Sequence, residues 1–501
     1  MTDIDFYTNV SRIGNKIAVR GIKDGKEVRF REPYQPTLYI ENEKDYGFKN
    51  LYGRNLKPIS FSSLRDATDF TREQRGSNLN IYGYPHYNYQ FALENFVDSV
   101  DKFKKHDMRI FNIDIEVTSN AGFPEPQHAE YPITAVCIHD SYADKFVTFG
   151  IGEWEIDNSI LPSDVVDKVV YVECVSETDL LTKMLKYWGS FTPNIVTGWN
   201  VEGFDMPYIV NRLTNLGFSN KRLSPWNITH VKEYTNFANK EVVEVNIVGV
   251  DIIDYMTLYR KNKVQDSYRL DNIASLELGE NKSLGTVEML DMSRVPFTDD
   301  PSNNVYEEVE GDEEFNRFAR LRKLRVDTQN SNNPNKDLEV EILKKQEKQA
   351  AFQAFISYNI QDVNLVKRLD EKLGLLDASI MIAYEACINF SEVSSPVRTW
   401  DCLINKDMYQ RGQIPPYHIE NEQSSGGIPG GYVKDPQVGK HGWCASFDLN
   451  SLYPHLIMQF NISPETLDKE FRLWPEADED DRVQRMLVKK PVNPDGKHSI
   501  S

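Results

Sequence analysis

An α/β fold spread over several domains is what this sequence predicts, and three observations carry that expectation. The chain has 501 residues, room for about three domains of roughly 150 residues each. Apolar strand-length runs alternate with amphipathic helical segments from about residue 110 to about 370. Ahead of them, residues 1 to about 107 read as a strand-rich domain.

In that first part, FYTNVSRIGNKIAVRGI is followed by KDGKEVRFRE. The Asp24–Gly25 pair signals a two-residue hairpin, because both central positions of such a turn take positive φ. Aromatic residues are dense between Tyr82 and Phe96, and DKFKKHDMR then reads as a charged linker, so a boundary falls near residue 108. Strand candidates follow in RIFNIDIEV, TAVCIHD, KFVTFGIG and NIVTGWN, and helix candidates in TDLLTKMLKYWGSF and PYIVNRLTNLG. VKEYTNFANKEVVEVNIVGVDIIDY reads as a hairpin and a further strand. Residues from about 294 to 340 are acidic, polar and Asn-rich, which predicts a loop-like insertion around one charged helical patch. One long helix or two should follow to about 374, and another helical segment should cover roughly 378–411. SSGGIPGG at 424–431 is a Gly-rich loop, and WCASFDL begins a strand near the end.

Composition narrows the function. With 40% hydrophobic and 27% charged residues the chain reads as soluble and globular. The five cysteines form no C-x-x-C pair, which argues against a zinc ribbon or a secreted disulfide scaffold and for a reducing, cytoplasmic compartment. No apolar run approaches the ~18 residues a membrane span needs, so no membrane partner is expected. The net charge of −19 disfavours a simple DNA-coating protein. Eleven acidic residues sit in EEVEGDEE and EADEDD, yet the rest of the chain stays acidic, which leaves room for carboxylates that hold metal ions.

Four constellations carry chemistry. In FNIDIEVTS, strand alternation puts Asp114 and Glu116 on one face, about 6.6 Å apart along the strand. Two carboxylates so close repel unless a cation or solvent relieves them; a polar strand face is the other reading. In NIVTGWNVEGFDMPY, Asp205 stands just before Pro207 at a helix start, where it is a metal ligand or a helix cap, and Asn200 lies in the turn. In FISYNIQDVNLVKRL, Tyr358 and Asp362 are four apart and share a helix face, which also suits an ordinary amphipathic helix. In SFDLNSLYPHL, Asp448 leaves a strand into a turn whose N–H groups can cradle phosphates, with Ser451 as an alternative helix cap.

Taken together, D-x-E, N-x-x-x-F-D and Y-x-x-x-D in this order resemble the three exonuclease motifs of the family B DNA polymerases. GFPEP, KRLSP and DIIDYMTLY join the likeness, which looks closest to the replicative polymerases of T-even-like tailed phages. The resemblance implies a ribonuclease H-like 3′→5′ proofreading exonuclease in which Asp114, Glu116, Asp205 and Asp362 ligate two Mg²⁺ or Mn²⁺ ions. Tyr358 would orient the attacking water, Phe123 would stack near the frayed primer end, and Asn200 would contact DNA. The hairpin around Phe237–Ala238–Asn239–Lys240 matches the position of a strand-separating hairpin in that family. D-L-N-S-L-Y-P is similar to the first polymerase motif, which implies Asp448 as a Mg²⁺ ligand and Leu449, Asn450, Ser451, Leu452 and Tyr453 as the nucleotide-binding turn. Gly430, Gly431 and Tyr432 resemble a template-contacting loop.

The implied layout is an N-terminal domain over 1–107 joined by about 375–418, an exonuclease domain over 108–374, and the start of a polymerase palm over 419–501. No Y-G-D-T-D-S stands in the sequence, so the carboxylate that would complete the polymerase metal site is missing. The expectation is a viral, phage-encoded replication enzyme of the host cytoplasm that degrades DNA from its 3′ end. It would use dNTPs only with a C-terminal polymerase half, and a sliding clamp is a further expected partner. The alternatives are a non-catalytic assembly subunit of a split polymerase and a stand-alone 3′→5′ exonuclease.

Overall fold

A computed structural model describes residues 4–74, 79–118, 124–235, 241–279, 304–309, 311–331, 335–417 and 433–462. They fall into two compact units. The larger is Met1–Thr37, Ser60–Gly76 and His86–Gln410; the smaller is Leu38–Ile59, Ser77–Pro85 and Arg411–Ser501.

The larger unit begins with an antiparallel meander of Phe6–Ile13, Lys16–Lys23 and Lys26–Pro33. Its second turn is the Asp24–Gly25 hairpin, with φ of 50° and 69°, the left-handed pair the dipeptide calls for. The centre of the unit is a six-stranded mixed sheet. Its order is Val169–Cys174, Lys145–Ile151, Ile133–Asp140, Ile110–Val117, Ile195–Gly198, Asp251–Asp254. Ile133–Asp140 runs antiparallel to both of its neighbours, and the remaining pairings are parallel.

Alternation along Ile110–Val117 divides the layers. Phe111, Ile113 and Ile115 join a core with Leu181, Met184 and Trp188 of the helix Glu177–Ser190 and with Tyr208 and Ile209 of the helix Asp205–Asn215. The opposite face packs on a single 38-residue helix, Lys336–Leu373. There Ala350, Ala351 and Ala354 bring the helix backbone close to Ala135 and Cys137 of the neighbouring strand.

Several elements depart from the expectations. The edge strand Val169–Cys174 is not among the strand candidates although Val169, Val170, Tyr171 and Val172 are consecutive apolar residues, and it is half-exposed along most of its length. The strand-rich first part also holds the helices Leu64–Glu73 and Tyr87–Phe96. The second of these buries Tyr87, Tyr89, Gln90, Phe91, Ala92 and Leu93, so it is covered nearly all round and shows no single apolar stripe. The segment 378–411 is two helices, Leu375–Ala386 and Pro396–Gln410, because Cys387 turns left-handed at φ 54°. The charged patch in the acidic stretch is a helix as expected, Glu313–Gln329, but it is packed and not part of a loop-like insertion. Its Arg322 and Arg325 are buried on either side of Glu347, with Nε–carboxylate distances of 2.7 and 2.5 Å.

The smaller unit has a four-stranded sheet in the order Phe48–Lys49, Asn55–Ser60, Thr37–Glu41, Ile81–Tyr82. Residues Gln413 and Pro416 add single bridges to Lys49 and Tyr82. The strand expected at WCASFDL is not formed among residues 433–451, where no partner strand supplies a ladder; the helix Leu452–Phe460 follows.

Candidate active site

The site lies where the strand Ile110–Val117, the turn before the helix Asp205–Asn215 and the helix Lys336–Leu373 meet. Asp114 and Glu116 project from the same strand face, both half-buried, opposite Cys137 and Ala135 of the next strand. Asn359 of the long helix is fully buried, and its Nδ2 donates to Asp114 Oδ2 at 2.6 Å. Four residues on, the Val363 carbonyl accepts from Asn112 Nδ2 at 2.7 Å. These two bonds fix the register of helix on strand. Tyr358 and Asp362 are half-buried on the intervening face, and Asp362 Oδ1 is buried. Burial pushes the Cys137 thiol up, and the negative charges of Asp114 and Asp362 push it further, which puts both carboxylates in its neighbourhood.

Asp205 arrives from the other side. Asn200 takes a left-handed conformation, φ 65°, and its carbonyl accepts from the N–H groups of Gly203 and Phe204. That turn delivers Asp205 to the first position of its helix, where Phe204, not Asp205, is the cap. The buried carboxylate Oδ1 accepts from Ile115 N at 3.0 Å, so Asp205 is tied to the D-x-E strand itself. Burial raises its pKa against the Ile115 N–H, which favours the charged form, and the charge of Asp254 raises it further. Asp205 reaches this place because Gly198 lets its strand come close: a Cβ there would stand 2.4 Å from the Ile113 carbonyl oxygen.

The three motifs therefore share one locality. Phe123, the 237–240 segment and Gly430, Gly431 and Tyr432 lie outside the described residues. Asp448, Leu449, Asn450, Ser451, Leu452 and Tyr453 are all exposed. Ser451 is left-handed, φ 51°, and its hydroxyl bonds Asn450 Oδ1 instead of capping the helix, because a cap residue holds an extended backbone. Asn112, Gly198 and Asn359 are the residues that sequence reasoning missed. A glycine closing an apolar strand and an asparagine inside Y-x-x-x-D were the available signals.

All four candidate ligands offer carboxylate oxygens, the hard donors that Mg²⁺ and Mn²⁺ prefer. Among the described residues no group of three or more His, Cys, Asp or Glu side chains is arranged to hold a metal ion by itself. Asp114 Oδ2 and Asp205 Oδ1 each accept from a protein donor, so the set matches the cations in chemistry without being a finished cage. No described helix is long and apolar enough to cross a membrane.

The chain belongs to the family B DNA polymerases. Residues 51–273 match the family's exonuclease domain, and residues 392–500 match DNA polymerase family B. The first range holds Asp114, Glu116 and Asp205 and ends before Tyr358 and Asp362. The chain is similar to the DNA-directed DNA polymerase of Escherichia phage RB69, at 31% identity over 94% of this chain and 48% of the relative. It is also similar to that of Enterobacteria phage T4, at 30% identity over the same shares. A DNA polymerase of Pyrococcus horikoshii matches at 21% identity over 88% of this chain and 34% of its own length. The chain thus spans about half the length of the phage relatives it matches.

Proposed function

We propose that this chain carries the 3′→5′ proofreading exonuclease of a replicative family B DNA polymerase. The observation that carries the reading is the pair of hydrogen bonds to Asp114 and from Ile115, which join three motifs distant in sequence. The sheet order, with one antiparallel strand beside the D-x-E strand, supports a ribonuclease H-like exonuclease domain over 108–374. An N-terminal domain over 1–107 with about 375–418, and the start of a palm over 419–501, complete the layout.

The substrate is the 3′ end of a DNA strand, and the bond broken is the terminal phosphodiester. Asp114, Glu116, Asp205 and Asp362 hold two Mg²⁺ or Mn²⁺ ions. When bound, the ions lower the pKa of the attacking water and stabilise charge on the leaving oxygen. Tyr358, one helical turn before Asp362, orients that water. Asp205 keeps its place through Ile115 N. Phe123 and Asn200 contact the splayed end. In the polymerase portion Asp448 is a metal ligand, Leu449 to Tyr453 cradle the triphosphate, and Gly430, Gly431 and Tyr432 meet the template. Polymerisation requires a C-terminal polymerase half, a sliding clamp is a further partner, and the setting is a phage-infected host cytoplasm.

The test is digestion of a 3′-labelled single strand. Mg²⁺ should support it and a chelator should stop it. The double variant Asp114→Ala, Glu116→Ala should lose more than the roughly 10–100-fold typical of outer-shell changes. Full activity in that variant would refute the assignment.

A further inference from the structure

Asn359 stands next to Tyr358 on the long helix, yet none of the roles above uses it. Its side chain is fully buried, and the amide donates to Asp114 Oδ2 at 2.6 Å, with the Asp114 carbonyl a longer second acceptor at 3.4 Å. We propose that Asn359 is a positioning residue for the exonuclease, fixing the Asp114 carboxylate so that Oδ1 is presented to a divalent cation. The inference rests on the metal-dependent exonuclease reading.

Three arguments support it. First, the bond is poorly explained as a fastener. Asn112 already ties strand to helix through the Val363 carbonyl, and it does so backbone-wards. The Asn359 bond ends on a carboxylate instead. Second, Asn359 Oδ1 finds no donor among the described residues, and leaving a buried acceptor unmatched is destabilising. An apolar side chain would fill this place with a smaller penalty, so stability alone does not account for an amide here. Third, the donor is neutral. A lysine or arginine at 359 would orient Asp114 equally well, but it would cancel the negative charge that a cation needs. An amide occupies one oxygen, restricts rotation of the carboxylate, and leaves its charge intact. Donors that orient metal ligands from behind act in this way.

The experiment uses the whole chain without DNA and follows Mn²⁺ binding by electron paramagnetic resonance, with the thermal midpoint of the metal-free protein measured alongside. Asn359→Leu keeps the volume and a good helix former; Asn359→Ala is the second variant in case the first does not fold. Gln353→Ala is the stability control: it removes bonds to Glu155 and Glu314 from the same helix. Both Asn359 variants should bind Mn²⁺ about 10–100-fold more weakly. Their digestion of a 3′-labelled strand should recover as the metal concentration rises. Gln353→Ala should lower the midpoint and leave Mn²⁺ affinity unchanged. A folded Asn359 variant that binds Mn²⁺ like the wild type would overturn the proposal. Asp114→Ala separates the two layers. If that change also leaves Mn²⁺ binding untouched, the metal-site reading falls and the role of Asn359 falls with it.

Discussion

At Gly198 the strand ending at the second motif runs against the D-x-E strand with no room for a methyl group. A Cβ would meet the Ile113 carbonyl at 2.4 Å and the Val201 side chain at 3.2 Å. The first neighbour is backbone and part of the sheet, so it cannot yield cheaply. Gly198→Ala should therefore cost about 1–3 kcal/mol, read as a lower urea midpoint. It should also reduce single-strand digestion, because Asp205 follows this strand and reaches Ile115 N only from its present position. An unchanged midpoint would mean that the strands separate freely here. At this scale the sequence was legible in part. Alternation over 111–117 assigned Asp114 and Glu116 to the face opposite Phe111, Ile113 and Ile115, and the cores have that arrangement. Gly198 and Asn359 were not legible, since what makes them special is a neighbour more than 80 residues away.

Among the elements, the helix Lys336–Leu373 does most to build the site, and the helix Glu313–Gln329 braces it. Glu314 joins them: its Oε1 accepts from Gln353 and Ser357 of the long helix at 2.9 and 3.0 Å. Its Oε2 is buried. Burial pushes the Glu314 carboxyl up to about 7. The folded protein then holds this proton more tightly than the unfolded chain does. Its contribution is fully present below the ordinary glutamate range and is lost as pH rises through about 7. The loss is on the order of 3–4 kcal/mol at most. Denaturant midpoints measured between about pH 5 and pH 8 should fall for the wild type and stay flatter for Glu314→Gln. Equal slopes for the two proteins would remove Glu314 from the account. An acidic, Asn-rich stretch gave no hint of this packing, because mean polarity hides single side chains. Phe315, Phe318, Arg322 and Arg325 bury themselves by finding partners on a helix that begins only at Lys336.

Within the larger unit, Arg20 of the meander is the joint with the central sheet. It is fully buried, and its guanidinium donates to the carbonyls of Pro193 at 2.7 Å, Thr192 at 3.2 Å and Gly249, while Nη2 pairs with Glu27 at 2.6 Å. Nearby, Asn9 donates to Asp251 Oδ2 at 3.1 Å, and Tyr7 donates to the Ile388 carbonyl at 2.8 Å. Arg20→Met fills similar space but leaves those carbonyls buried without a donor. It should lower stability by at least about 2 kcal/mol and shift the unfolding transition of the whole unit. A transition with the same midpoint would show that the meander adds no support.

Across these scales the sequence by itself determined the local order of elements and the kind of chemistry. Strand period, helix period and the Asp24–Gly25 turn are written in neighbouring residues, and carboxylates at motif spacing are recognisable before any folding. The tertiary structure decided which atoms those carboxylates meet. Asp205 was equally suited to capping its helix, and only the approach of the D-x-E strand gave it Ile115 N to hold. Asn359 was one polar residue among many on a long helix until packing set it against Asp114. Local propensities act over a few residues, whereas the direction of a buried polar side chain is chosen by the donors and acceptors that the fold brings within about 3 Å.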